Sequence, residues 1–116
     1  MPEQVVAIVN PRASSGACGK RWPKLEPILR KHWPDAEVWL TEAPRHATVL
    51  ARTALERGAS LVISVGGDGT NNEVLNGFVD VEAGRNEFPD AVLGIVAAGT
   101  GGDFQRMFGR DRKSVV

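Results

Sequence analysis

Ser60-Leu61-Val62-Ile63-Ser64-Val65-Gly66-Gly67-Asp68-Gly69-Thr70-Asn71-Asn72-Glu73-Val74-Leu75-Asn76-Gly77 is an apolar run that stops at three glycines and one acid, then turns amphipathic. That order reads as a strand, a tight loop and a helix start. Residues 61–65 are rich in β-branched side chains and lack polar alternation, which suits a central parallel strand covered on both faces. Thr70 followed by Glu73 has capping-box spacing, which predicts a helix beginning at Thr70. Gly66, Gly67 and Gly69 have no Cβ, so the loop amides can touch a ligand directly. The helix N-terminus adds about half a positive charge, so the expected guest is an anion, above all a phosphate. Asp68 is then the residue to explain. An acid fits beside phosphate if Mg²⁺ lies between them, or if it accepts a proton from an attacking hydroxyl. It fits equally as a plain turn residue, and the loop alone leaves these readings open.

The rest of the chain bounds the answer. At 116 residues it reads as one domain over 1–116, able to bury about two-thirds of its unfolded surface. Fourteen basic and fourteen acidic residues give no net charge, so no overall field draws nucleic acid or a membrane, and any anion site must be local. Cys18 is the sole cysteine, which excludes an internal disulfide and a cysteine-based zinc site; it is expected to be a small loop residue in a reducing compartment. Met1-Pro2-Glu3-Gln4 leads into a short apolar run without a basic lead, so neither a signal sequence nor a membrane span is expected, and the chain reads as cytoplasmic.

Val5-Val6-Ala7-Ile8-Val9 is a second buried-strand pattern, and Asn10-Pro11 with Ser14-Ser15-Gly16 forces a loop after it. Gly16-Ala17-Cys18-Gly19-Lys20 resembles the tail of a Walker A loop but has the wrong glycine spacing, and Arg21 follows the lysine. Over 20–33, Trp22, Leu25, Ile28, Leu29, His32 and Trp33 recur at helical spacing, with Lys20, Arg21, Lys24, Arg30 and Lys31 on the outer side. That basic side reads first as a solvated face, with acidic lipid headgroups as the alternative. Residues 36–40 suggest an outer strand ending at Thr41. Pro44 opens a helix carrying Ala47, Leu50, Ala51, Ala54 and Leu55, which Gly58 closes. His46 sits near its first turn, where it either touches a ligand or is simply exposed.

Val74, Leu75, Phe78 and Val79 form the buried side of the third helix, and 80–90 reads as a polar loop. Residues 91–96 are a fourth buried strand. A second glycine-rich loop, Gly99-Thr100-Gly101-Gly102-Asp103, follows it, and a short helical stretch is expected from Phe104. Four strands alternating with helices predict an α/β fold: a doubly wound, mostly parallel sheet with helices on both faces. Ligand groups then gather at the carboxyl ends of the strands, where Asn10, Thr41, the 66–70 loop and the 99–103 loop all lie. No Gly-x-Gly-x-x-Gly fingerprint is present, which disfavours a dinucleotide-binding domain.

Asn10-Pro11 with Ser15-Gly16, Gly66-Gly67-Asp68-Gly69-Thr70 with Asn72-Glu73-Val74, and Gly99-Thr100-Gly101 with Asp103-Phe104 and Arg106 resemble the diacylglycerol kinase catalytic domain family. That family includes bacterial lipid kinases, sphingosine kinase and ceramide kinase. It is more distantly similar to NAD kinase and 6-phosphofructokinase, whose N-terminal domains have a Rossmann-like fold. The resemblance implies that ATP and Mg²⁺ are the cofactors and that Gly66, Gly67, Asp68, Gly69 and Thr70 wrap the phosphates. It places Asn10, Thr41, Asn72 and Glu73 on the nucleotide, and Gly99 and Thr100 at its phosphates. Asp68 would act at the γ-phosphate, through the metal or on the lipid hydroxyl, and Asp103 would stand where the acceptor arrives. Arg45-His46-Ala47 looks like the family's Gly-His-Ala, with Arg45 in place of glycine. Gly102 stands where the family has asparagine, which puts the acceptor geometry in doubt.

These kinases carry a C-terminal β-rich lobe, and the resemblance implies that this lobe is absent here. The chain is therefore expected to be the nucleotide-binding half of a lipid kinase, inactive alone, whose complete form meets a lipid acceptor peripherally at the membrane surface. The alternatives are a nucleotide-binding module without catalysis, and a related kinase with a soluble acceptor such as NAD. Apolar surface left by the missing lobe would favour homo-oligomers.

Overall fold

A computed structural model describes residues 4–80, 82–97 and 104–108. In chain order the elements are β1 (Val5–Val9), α1 (Ala17–His32), β2 (Glu37–Leu40), α2 (His46–Glu56), β3 (Leu61–Gly66), α3 (Asp68–Phe78), β4 (Val79–Asp80), β5 (Arg85–Asn86), β6 (Val92–Ala97) and β7 (Phe104–Phe108). The main sheet runs β2-β1-β3-β6-β7, parallel throughout except for β7, which lies antiparallel on the outer edge of β6. The α/β, mostly parallel architecture expected from the strand and helix pattern is therefore the observed one.

The period of two along each strand divides the core in two. Val5, Ala7 and Val9 of β1 and Leu61, Ile63 and Val65 of β3 meet Cys18, Leu25 and Leu29 of α1. Val6, Ile8 and Val62 point the other way, onto Ala47, Ala51, Ala54 and Leu55 of α2 and Val74 and Phe78 of α3. All of β1 and β3 is buried, and this is why neither strand shows polar alternation. Ser64 is the one hydroxyl in β3; it is fully buried and donates to Asn71 Oδ1 at 2.7 Å, tying the strand to α3.

Small residues let α2 and α3 approach closely. A Cβ on Gly77 would lie 2.6 Å from Ala51 Cβ and 3.0 Å from both the Arg52 nitrogen and the Thr48 oxygen. The Thr48 hydroxyl donates to the Glu73 carbonyl at 2.7 Å across the same contact.

Several expectations need correction. Helix α1 starts at Ala17, ahead of position 20, and contains Pro23 and Pro27, each lacking an intrahelical N–H. Burial of Cys18, Leu25 and Leu29, with Trp22 and Trp33 packed alongside, holds the helix despite them. Cys18 thus belongs to the core and not to a loop, whereas Ile28 is 45% exposed because it falls on the flank of the helix away from the sheet. The polar 80–90 segment contains the β4/β5 hairpin, pairing Val79 with Asn86 and Asp80 with Arg85. Residues 104–108 form a strand instead of the expected helix: β6 would otherwise present a row of unpaired backbone groups at the sheet edge, and β7 satisfies them.

Candidate functional site

The site is built where the sheet reverses its order. From β1 the chain crosses over α1 to β2 on one side, then over α2 to β3 on the other, so the loops leaving β1 and β3 diverge and leave a crevice between them. The strand ends stand in a row. The Thr41 amide donates to the Val9 carbonyl at 2.9 Å, the Asn10 amide donates to the Val65 carbonyl at 2.9 Å, and Gly66 pairs with Ala97. Thr41, Asn10 and Gly66 are thereby side by side, as the strand pattern predicted.

The loop after β1 is held by its own polar groups. Asn10 Oδ1 accepts from the Arg12 amide at 3.1 Å, and the Gly19 amide donates to the Pro11 carbonyl at 3.0 Å. Glycine is needed at position 19, because a Cβ there would meet the Pro11 oxygen at 2.8 Å. Ser14 and Ser15 have φ of 56° and 58°, and Gly16 has φ of 91°. The two serines are thus held in the left-handed region, where a side chain costs about 1–2 kcal/mol. A Cβ on Gly67 would lie 3.6 Å from Ser14 Oγ, so this loop rests against the next one.

The loop after β3 turns back on itself. A Cβ on Gly66 would lie 2.5 Å from Thr70 Oγ1, so the turn closes only with glycine there. Thr70 is 4% exposed, and its Oγ1 accepts from Asn10 Nδ2 at 3.1 Å. Helix α3 starts at Asp68 with Gly67 as its cap residue, and no side chain caps it. The expected capping box, with Thr70 as cap and Glu73 reaching back, is therefore not formed: Thr70 already lies inside the first turn, and its hydroxyl is engaged by Asn10. The first helical N–H groups have no intrahelical acceptor, Asp68 and Gly69 are exposed beside them, and nothing lies within 4 Å of a Cβ built on Gly69. Open amides at a helix start, with room in front of them, fit a phosphate group.

The remaining candidates divide. Asn72 is exposed on α3, and the Glu73 main chain is occupied by Thr48. His46 Nδ1 accepts from the Glu42 amide at 3.0 Å, so it fastens the β2–α2 loop. Arg45, ahead of it, has φ of 67°, a conformation that favours glycine. Gly99, Thr100, Asp103 and their neighbours Gly101 and Gly102 lie outside the described residues. Among the described residues no three His, Cys, Asp or Glu side chains converge as a metal site, so a cation here would depend on Asp68 and on a ligand's own oxygens. Burial pushes the Cys18 thiol up, and its Sγ lies 3.6 Å from the Val65 carbonyl that also accepts from Asn10. Two contacts that shape the site were missed from sequence, Ser64 with Asn71 and Thr48 with Glu73; the lone hydroxyl within the apolar 61–65 run was the available signal for the first. A cavity of about 460 Å³ lined by Gln4, Asp35, Glu37, Trp39 and Arg57 reaches the opposite, amino-terminal ends of β1 and β2, so it is no part of this crevice.

The diacylglycerol kinase catalytic domain profile matches residues 4–115. The chain is similar to YtlR of Bacillus subtilis (strain 168), with 38% identity over 104 residues, covering 87% of this chain and 31% of that protein. It is similar to a diacylglycerol kinase of Staphylococcus haemolyticus (strain JCSC1435), with 33% identity over 99 residues, covering 85% of this chain and 28% of the relative. Its fold is similar to a crystal structure of a diacylglycerol kinase from Bacillus anthracis str. Sterne: TM-score 0.66, 31% identity, 87% of this chain and 35% of that one. The chain thus spans about a third of the length of these relatives.

Proposed function

The chain belongs to the diacylglycerol kinase catalytic domain family, and from that premise we propose that it is the nucleotide-binding part of an ATP-dependent lipid kinase. The observation that carries this reading is the bond from Asn10 to Thr70, which joins the β1 and β3 loops around open helix amides at the reversal of the sheet. In this reading the amides of 67–70 hold the phosphates, as Gly66 permits by closing the turn onto Thr70. Asn10 positions Thr70, and Thr41, one strand over, faces the nucleoside side with Asn72 and Glu73. The family resemblance would add Gly99 and Thr100 to the phosphate contacts and Asp103 to the acceptor side; all three lie outside the described residues. Mg·ATP, when bound, supplies the phosphoryl group to be transferred. Asp68, exposed at the mouth of the loop, either holds the cation against the phosphates or accepts the proton of the attacking hydroxyl.

The acceptor is a lipid hydroxyl of the diacylglycerol or sphingoid type. The competing reading, a kinase with a soluble acceptor such as NAD, shares the Gly66-Gly67-Asp68-Gly69 loop but not the residues that follow it. Because the chain spans about a third of its relatives, it is expected to bind nucleotide without turnover by itself.

Calorimetric titration of Mg·ATP into the 116-residue chain tests the reading, beside ATP without Mg²⁺ and the Asp68→Ala variant. Saturable binding, weakened by either change, is the expected result. Absence of binding to a folded chain would overturn the nucleotide role of this crevice.

A further inference from the structure

We infer that the cavity at the amino-terminal ends of β1 and β2 is a binding site for a free α-amino acid with an apolar side chain. Its volume of about 460 Å³ is that of a small-molecule site. The space follows from the topology. Helix α2 packs on β1, β3 and α3, which sets it inward of β2, the outermost strand of the sheet. Trp39, on the α2 side of β2, therefore stands beside open space, and Ala54 and Arg57 at the end of α2 close the far side.

The lining has an apolar part and a charged part. Val6 and Ala54 are buried, and the half-buried Trp39 ring stands over them. Around these lie Asp35, Glu37 and Arg57, all exposed. The Trp39 Nε1–H donates to Glu37 Oε1 at 3.3 Å, which holds ring and carboxylate together, and the Arg57 guanidinium carbon lies 5.6 Å from the centroid of the same side chain's ring. Arg57 pairs with neither acid: among the described residues the ion pairs are Arg30 with Glu26 and Arg52 with Glu87. Charges of both signs thus line one cavity without neutralising each other.

That arrangement selects the ligand. A simple anion would meet Arg57 but also two carboxylates, and a simple cation would meet the carboxylates but also the guanidinium. A molecule with an ammonium and a carboxylate on one small frame satisfies both signs. Its carboxylate suits the planar donors of Arg57, and its ammonium suits Asp35 and the second oxygen of Glu37. The apolar remainder then covers Val6, Ala54 and the Trp39 ring, where an aromatic side chain gains from stacking. A free α-amino acid has this composition. The cavity is separated from the crevice by the length of β1, about 17 Å for five residues, so its ligand does not compete with nucleotide and the inference stands apart from the nucleotide reading.

Titration of L-phenylalanine into the chain tests this, followed by calorimetry and by tryptophan fluorescence. The expected result is saturable binding, weaker for L-leucine, and at least about tenfold weaker for N-acetyl-L-phenylalanine and L-phenylalaninamide, each of which lacks one of the two charges. Arg57→Gln and Glu37→Gln alter exposed side chains, so the fold survives, and each should also weaken binding by about tenfold or more. Saturating Mg·ATP should leave the affinity for phenylalanine unchanged. No binding to a folded chain, equal binding of either blocked derivative, an unaffected Arg57→Gln variant, or displacement by Mg·ATP would overturn the proposal. A chain that binds Mg·ATP but not phenylalanine loses this site alone, and the reverse result removes the nucleotide reading alone.

Discussion

The side-chain amide of Asn10 donates to the hydroxyl of Thr70 across 3.1 Å, joining residues sixty positions apart in the chain. The bond fastens the loop after β1 to the first turn of α3, the two segments that enclose the crevice. Neither residue has this partner through local geometry; it follows from β1 and β3 being neighbours in register, Val9 beside Val65.

Thr70 is 4% exposed and Asn10 is half-buried, so water replaces the lost hydroxyl only in part. Thr70→Val keeps the shape and leaves the Asn10 amide without its acceptor, which is expected to cost about 1–3 kcal/mol. Thr70→Ser keeps the acceptor and should lose less. Urea denaturation of the two variants measures the difference, and equal midpoints would show that the bond contributes nothing to stability.

Gly77→Ala is expected to destabilise the chain although alanine is the better helix former. The added Cβ would meet Ala51 Cβ at 2.6 Å and backbone atoms at 3.0 Å, which cannot give as a flexible side chain can. Overpacking of this kind costs about 1–3 kcal/mol, against a propensity gain of about 1 kcal/mol. A lowered melting temperature is the expected reading; a raised one would mean that α2 and α3 have room to part.

Arg45 is held at φ of 67° immediately before α2. Glycine takes that conformation without a Cβ penalty, so Arg45→Gly should stabilise the native state by about 1 kcal/mol, partly offset by the freer unfolded chain. Arg45→Ala keeps the Cβ and should show no such gain. Chemical denaturation of the pair separates backbone strain from loss of the guanidinium.

Cys18 is 1% exposed, and burial raises its thiol above the ordinary value. A group with a raised folded pKa contributes stability that is fully present below its unfolded pKa and is lost as pH rises through the folded one. Stability should therefore fall in the alkaline range beyond the ordinary thiol pKa, and Cys18→Ser should flatten that part of the profile. A native chain whose thiol reacts with a disulfide reagent as fast as the urea-unfolded chain would contradict this burial.

Much of the architecture was legible because it depends on local pattern. The apolar runs 5–9 and 61–65 lack alternation, which is the mark of strands covered on both faces, and the glycine run after 65 marks the strand end to within one residue, since β3 continues through Gly66. The side-by-side placement of Asn10, Thr41 and Gly66 at the carboxyl ends of the strands followed from the alternation of strands and helices. The start of α3 was misplaced because a Thr-x-x-Glu spacing is a local signal and the Thr70 hydroxyl was claimed by a distant residue. The fate of 104–108 was misread for a similar reason: the segment pairs with the open edge of β6, and an edge is a property of the assembled sheet.

The sequence by itself determined the four parallel strands, the three helices between them, the glycine loop after β3 and the family, since all of these rest on residue type and spacing along the chain. Tertiary structure alone decided that Asn10 holds Thr70, that Cys18 is core, and that Gly77 tolerates no side chain. Those facts depend on which atoms meet when segments far apart in sequence are packed together, and hydrogen bonds and close contacts act over a few ångströms of space regardless of the length of chain between them.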